Sequence, residues 1–176
     1  DRSRGLGDVY KRQLMQSTDG IAENESENQS VSMIVPKTPE NMGDYIDLVS
    51  AENGSNLEVK SGSVIITQKL AKLLDLKTGD TITIKLSGHE EKEFKIGGVS
   101  KNYALHYIYI TPDDFESVYG EKPVYNLSFI DLKKDTDENS FKEQLISNDE
   151  FYGISFKNDS SRGFLNSVDS LDSIVI

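Results

Sequence analysis

The run GSVIITQKLAKLLDLKTGDTITIKL, residues 62–86, holds a strand, a short helix, a tight turn and a second strand in one unbroken segment. Residues 63–66 are mostly apolar and β-branched, which suits a strand covered on both faces. Thr67 is placed to cap the free amides of the helix that follows. Leu70, Ala71, Leu73 and Leu74 fall at helical spacing and predict one apolar face. Lys77-Thr78-Gly79-Asp80 reverses the chain, with Gly79 free to take a positive φ. Over 81–86 the residues alternate, Ile82, Ile84 and Leu86 toward one side and Thr81, Thr83 and Lys85 toward the other. Propensity, patterning and turn chemistry agree here, so the segment supplies architecture and no catalytic group.

Working outward toward the C-terminus, residues 87–91 read as a polar turn and 93–99 as a strand with Phe94 and Ile96 inward. The pair Gly97-Gly98 predicts a bulge or a close backbone approach. Residues 103–111 form a β-prone strand with Tyr107 and Tyr109 on one face and Ile108 and Ile110 on the other. Pro112, followed by Asp113, Asp114 and Glu116, starts a helix that Gly120 ends. Residues 124–132 read as a strand, 137–147 as a helix with Phe141, Leu145 and Ile146 on one side, and 151–156 as a final strand. Over 159–176 a stripe of Phe164, Leu165, Val168, Leu171, Ile174 and Val175 predicts another helix.

Toward the N-terminus, 57–59 is a returning strand after the Asn53-Gly54 turn, 39–44 a single helical turn, and 30–35 a strand ended by Pro36. Residues 14–28 begin as a strand and dissolve into an acidic loop. Residues 1–13, DRSRGLGDVYKRQ, lack apolar periodicity and read as a translated adapter or as a basic N-terminal tail, in either case contributing no fold element. Strands and short helices alternate without βαβ regularity, so the predicted class is α+β.

The charge balance narrows function. Thirty acidic against nineteen basic residues give a net charge of −11. A nucleic-acid footprint or a grip on anionic lipid needs basic stripes, so both are disfavoured. The acidity concentrates in 14–61, where nine acids meet two bases, whereas 1–13 carries two acids and four bases. Cysteine is absent, which excludes disulfides, zinc–thiolate sites and a cysteine nucleophile. No segment approaches the ~20 apolar residues of a membrane span.

Motifs for chemistry are missing in turn. A phosphate-cradling GxxxxGK[ST] loop does not occur, and Gly97-Gly98 lacks the rest of a dinucleotide fingerprint, so no cofactor is expected. His89 lies in a charged turn and His106 in the tyrosine-rich strand, which does not make a ligand pair. Residues 135–139 begin like a calcium loop, but Ser140 stands at the required glycine and Ile146 at the bidentate glutamate; a loop with a helix cap accounts for the acids. Asp113 and Asp114 are adjacent at a helix start, where the macrodipole already explains them. The tyrosines remain: Tyr103, Tyr107 and Tyr109, with Tyr119 and Tyr125, read either as a partner-binding face or as ordinary sheet residues.

Residues 62–86 together with FKIGGVSKNYALHYIYITPDDFESVYG at 94–120 resemble the extracytoplasmic domain of FtsX-like and MacB-like ABC transporter permeases, in particular the large-loop permeases of Gram-positive bacteria. The likeness lies in a strand–helix–Gly-Asp–strand unit, a strand returning through Gly and Asn-Tyr to a tyrosine-rich strand, and a helix ending in glycine, and it covers about residues 30–176. It implies a two-lobed domain between two membrane helices: an inserted β-rich lobe at 42–123, a strand–helix–strand lobe from 14–41 and 124–158 with its N-terminal half incomplete, and a stalk helix at 159–176 leading toward a membrane span. The chain then reads as a fragment cut at both ends. The resemblance also implies a non-catalytic role at the outer face of the cell membrane. The partners it implies are a cytoplasmic ATPase subunit, a second permease copy, and an extracytoplasmic protein, lipoprotein or peptide. Two competing readings are a stand-alone peptide- or glycan-binding module using Tyr103, Tyr107 and Tyr109, and an acid/base hydrolase using Asp113, Asp114 or His106.

Overall fold

A computed structural model of the chain describes residues 9–102, 106–132, 135 and 137–146. The chain divides into two compact units, Arg12–Ile130 and a second made of Asp1–Lys11 with Asp131–Ile176. The expected strand at 151–156, helix at 159–176, and residue Tyr103 lie outside the described residues.

In the first unit, six strands close on themselves. They are β1 (Val9–Glu23), β2 (Asn28–Pro36), β3 (Val64–Thr67), β4 (Thr81–Leu86), β5 (Glu91–Ser100) and β6 (Tyr107–Tyr109). The order β2-β6-β3-β5-β4-β1 is completed by a β1–β2 pairing, with a further strand β7 (Leu127–Leu132) beside β1. Pairs β1–β2, β1–β4, β4–β5 and β3–β6 are antiparallel, while β2–β6 and β3–β5 are parallel. The ring leaves no free edge among its members, which removes the main aggregation hazard of a sheet. Its interior is filled by alternate residues of each strand: Ala22, Val31, Met33, Val35, Val64, Ile66, Ile82, Ile84, Leu86, Phe94, Ile96 and Ile108 are all buried in one cluster.

The 62–86 segment folds largely as its pattern dictates. β4 buries Ile82, Ile84 and Leu86 and leaves Thr81 and Lys85 exposed. Gly79 takes φ +95°, and no heavy atom crowds it, so conformation alone demands glycine there. Helix α1 (Gln68–Leu73) buries Leu70 and Ala71, and Leu74 just beyond it is buried too. Leu73 is 41 % exposed, contrary to the predicted face. At 100° per residue, Leu70, Ala71 and Leu74 fall within one sector, and Leu73 lies about 100° from its centre. Thr67 stands at the N-cap without a side-chain cap bond. Its Oγ1 instead accepts from the Tyr107 amide at 3.3 Å, so neighbouring strand β6 has claimed the capping oxygen.

Helix α2 (Pro112–Tyr119) matches expectation at both ends. The Asp114 amide donates to Thr111 Oγ1 at 3.2 Å, and Gly120 closes the helix in the left-handed region. The β3–β5 register shifts between Val64 and Ile65, so Gly97 is the extra residue of the predicted bulge.

Two expectations need correction. Residues 9–13 do form a fold element, the start of β1. Gln13 is 2 % exposed; its amide donates to Thr38 O at 2.6 Å and its carbonyl accepts from Thr38 N at 3.0 Å. A polar side chain can be held by backbone bonds with no apolar periodicity to announce it. The returning strand at 57–59 reduces to a single bridge, Val49↔Asn56. Strands β1 and β2 complete the ring within the Arg12–Ile130 unit.

In the second unit, α3 (Glu138–Ile146) follows Asp137, which acts as its cap: the Asn139 amide and Ser140 hydroxyl each donate to its carboxylate at 3.0 Å. The Ser140 bond, then the backbone amides, hold this carboxyl below its ordinary range. This is the cap reading of residues 135–139.

Candidate functional site

β6 sits between β2, which it parallels, and β3, which it opposes. Its inner face is Ile108, and its outer face carries Tyr107 and Tyr109. Both tyrosines are buried, 2 % and 1 % exposed, with ring centroids 6.2 Å apart. Burial pushes the Tyr109 phenol well above its ordinary range. A partner cannot reach side chains this covered, so for Tyr107 and Tyr109 the structure corrects the exposed-face reading: they are sheet residues buried on both sides of the strand.

The remaining tyrosines do not join them. Tyr119 on α2 packs against Phe115 at 4.8 Å and Phe94 at 6.3 Å, and burial pushes its phenol up to about 12. Tyr125 lies under the Lys37 ammonium, 5.8 Å from its ring centroid. Tyr45 stacks on Phe129 at 6.5 Å.

The acid/base trio is likewise dispersed. The Asp114 carboxylate accepts from the Gly62 amide at 2.7 Å, tying α2 to the loop before β3. His106 precedes β6, where its Nδ1 meets the Ser30 carbonyl at 3.0 Å, while Asp113 follows β6 at the start of α2. The strand's length separates them. Asp113 lines an open groove of about 430 Å³ with Lys37, Glu40, Glu58 and Ser61. Its charges are mixed. Among the described residues, no group of three or more His, Cys, Asp or Glu side chains is arranged to hold a metal ion, and no helix is long and apolar enough to cross a membrane.

Sequence reasoning missed two polar devices. The Asn126 side chain accepts from Ser17 N at 2.8 Å and donates to Ser17 O at 3.0 Å, imitating a neighbouring strand just before β7. The second is the pair Glu23 and Glu91. A hydrogen bond between the two carboxyls, then their mutual repulsion, raises the Glu23 pKa above its ordinary value, with Lys85 opposing. No sequence signal brings residues 68 positions apart together; the β1–β4–β5 pairings do. The folded state holds this proton more tightly than the unfolded chain does, so stability falls as pH rises from the ordinary carboxylate value through the raised folded one. Glu91→Gln supplies a neutral donor to Glu23 and is expected to flatten that slope in thermal melts and to raise the midpoint at pH 7.

The mixed ring, its helices and its strand order make an α+β fold that is similar to the extracellular domain of an ABC-type transporter. The extracellular domain of the noncanonic ABC-type transporter YknZ from Gram-positive bacteria superposes with a TM-score of 0.55 and 18 % identity, covering 82 % of this chain and 76 % of that one. The periplasmic region of MacB from Actinobacillus actinomycetemcomitans gives a TM-score of 0.49 and 13 % identity, over 80 % of this chain and 68 % of that one. No family model and no curated protein sequence matches the chain.

Proposed function

We propose that the chain is a non-catalytic extracytoplasmic domain of an ABC transporter permease, passing an ATP-driven change in a partner subunit to a substrate or protein outside the membrane. The observation that carries this reading is the fold shared with the YknZ extracellular domain over most of both chains. The absence of a phosphate-binding loop from the sequence agrees with ATP hydrolysis residing in a separate cytoplasmic subunit. In this reading residues 14–41 and 124–158 belong to the strand–helix–strand lobe, residues 159–176, which lie outside the described residues, supply a stalk leading toward a membrane span, and the full permease works as a dimer.

The native gene tests it. Its reading frame beyond Ile176 is expected to encode an apolar span of about 20 residues. Its full product, solubilised in detergent, is expected to co-purify with an ATPase subunit. A stop codon directly after Ile176, or a full product that fractionates without membrane, would sink the proposal.

A further inference from the structure

The turn between β4 and β5 carries a histidine whose two ring nitrogens both face acceptors. His89 Nδ1 lies 3.0 Å from the Ser87 carbonyl oxygen, and Nε2 lies 2.7 Å from Glu121 Oε1. Neither acceptor has a hydrogen to give when Glu121 is ionised. A neutral imidazole has one N–H and one lone pair, so it satisfies one of these contacts and sets its lone pair against an oxygen at the other. Only the imidazolium donates to both. The edge of the ring is held against Tyr119 on α2, with centroids 5.0 Å apart and planes at 71°. Tyr119 is anchored in turn against Phe115 and Phe94.

We propose that His89 is a proton-dependent clasp that fixes the end of α2 and the following segment 121–126 to the β4–β5 turn, closed when the ring is protonated and released when it is neutral. The groups around the ring are Glu121 and the Tyr119 phenol on the α2 side, with the Ser87 carbonyl, Glu90 and Glu91 on its own turn. Tyr119 is un-ionised throughout the imidazole range, so the ring itself carries the pH dependence. The clasp acts on the connector from α2 back to β1, where the Val124 amide donates to Gln16 Oε1 at 2.6 Å. The proposal stands independently of the transporter reading, because it concerns only contacts within the Arg12–Ile130 unit.

The whole chain has two histidines, which makes the test clean. Ring nitrogen NMR spectra of His89 and hydrogen exchange of the Gly120 amide, which donates to Glu116 O at 2.8 Å, are followed from pH 5 to 8. After correction for intrinsic exchange, protection of Gly120 is expected to fall about 2–5-fold across that range. Glu121→Gln keeps an acceptor but removes the charge, and is expected to bring the low-pH protection down to the high-pH level. His89→Gln should abolish the pH dependence and His106→Gln should leave it intact. Protection that does not change with pH, or a dependence that survives His89→Gln, overturns the proposal.

Discussion

Tyr109→Ala is expected to lower the stability of the chain by about 3–5 kcal/mol, the usual cost of removing a large buried aromatic ring. The thermal midpoint should drop by roughly 6–20 °C for a chain of this size. The reason is local. Tyr109 is 1 % exposed, and its strand is paired on both edges, to Ile34 of β2 and Ile65 of β3. Ile34 and Ile65 are themselves 4 % exposed, so this side of the sheet is as dry as the ring's interior. Neighbouring β-strands cannot slide into the space of a lost ring without breaking register, and the cavity therefore stays largely open. Val124→Ala, at a side chain 74 % exposed, serves as the control and should change stability by less than about 0.5 kcal/mol. Circular dichroism melts of the three proteins decide the matter. An unchanged midpoint in Tyr109→Ala would restore the tyrosines to a recognition surface.

Alanine at Gly97 and at Gly20 should each destabilise, by about 1–3 kcal/mol, and only the first should be rescued by a second substitution. A Cβ on Gly97 would strike the Ser63 hydroxyl and lie 2.8 Å from Ser63 Cβ, both side-chain atoms. Ser63→Gly removes them, so Gly97→Ala in the Ser63→Gly background should recover most of the loss, as a double-mutant cycle measures. A Cβ on Gly20 would instead meet the Lys85 carbonyl oxygen at 2.7 Å and the Leu86 Cα at 3.0 Å. These are backbone atoms of β4 at the point where β1 pairs with both β2 and β4, Gly20 facing Val31 on one side and Leu86 on the other. Nothing small can be trimmed there without parting the strands that close the ring. Chemical denaturation of Gly20→Ala, of Gly97→Ala, of Ser63→Gly and of the Gly97→Ala, Ser63→Gly double variant tests this; loss in each alanine variant, with most of the loss at Gly97 recovered in the Ser63→Gly background, is the expected pattern.

These two glycines show how legibility divides along the chain. Gly97 stood out because it interrupts an alternating strand and has a second glycine beside it, a local signal of a bulge. Gly20 lies among Ser17, Thr18, Asp19 and Ile21, where nothing local distinguishes it; its constraint comes from a strand 66 positions away. The same holds for Thr67, an evident cap by local rules, whose hydroxyl oxygen is taken by the Tyr107 amide across the sheet.

Periodicity, turn chemistry and helix signals by themselves determined most of the 62–86 unit, the inward set Ile82, Ile84, Leu86, Phe94 and Ile96, both ends of α2 and the α+β class. Each of these depends on neighbours within a few residues or on the order of such local units. Tertiary structure alone decided that β1 and β2 close a six-stranded ring with the later strands, that the tyrosines of β6 face packed protein instead of solvent, and that Glu23 meets Glu91 and His89 meets Glu121. A strand's alternation states which residues share a face; it does not state how many of its faces will be covered, because that depends on strands distant in sequence arriving on either side.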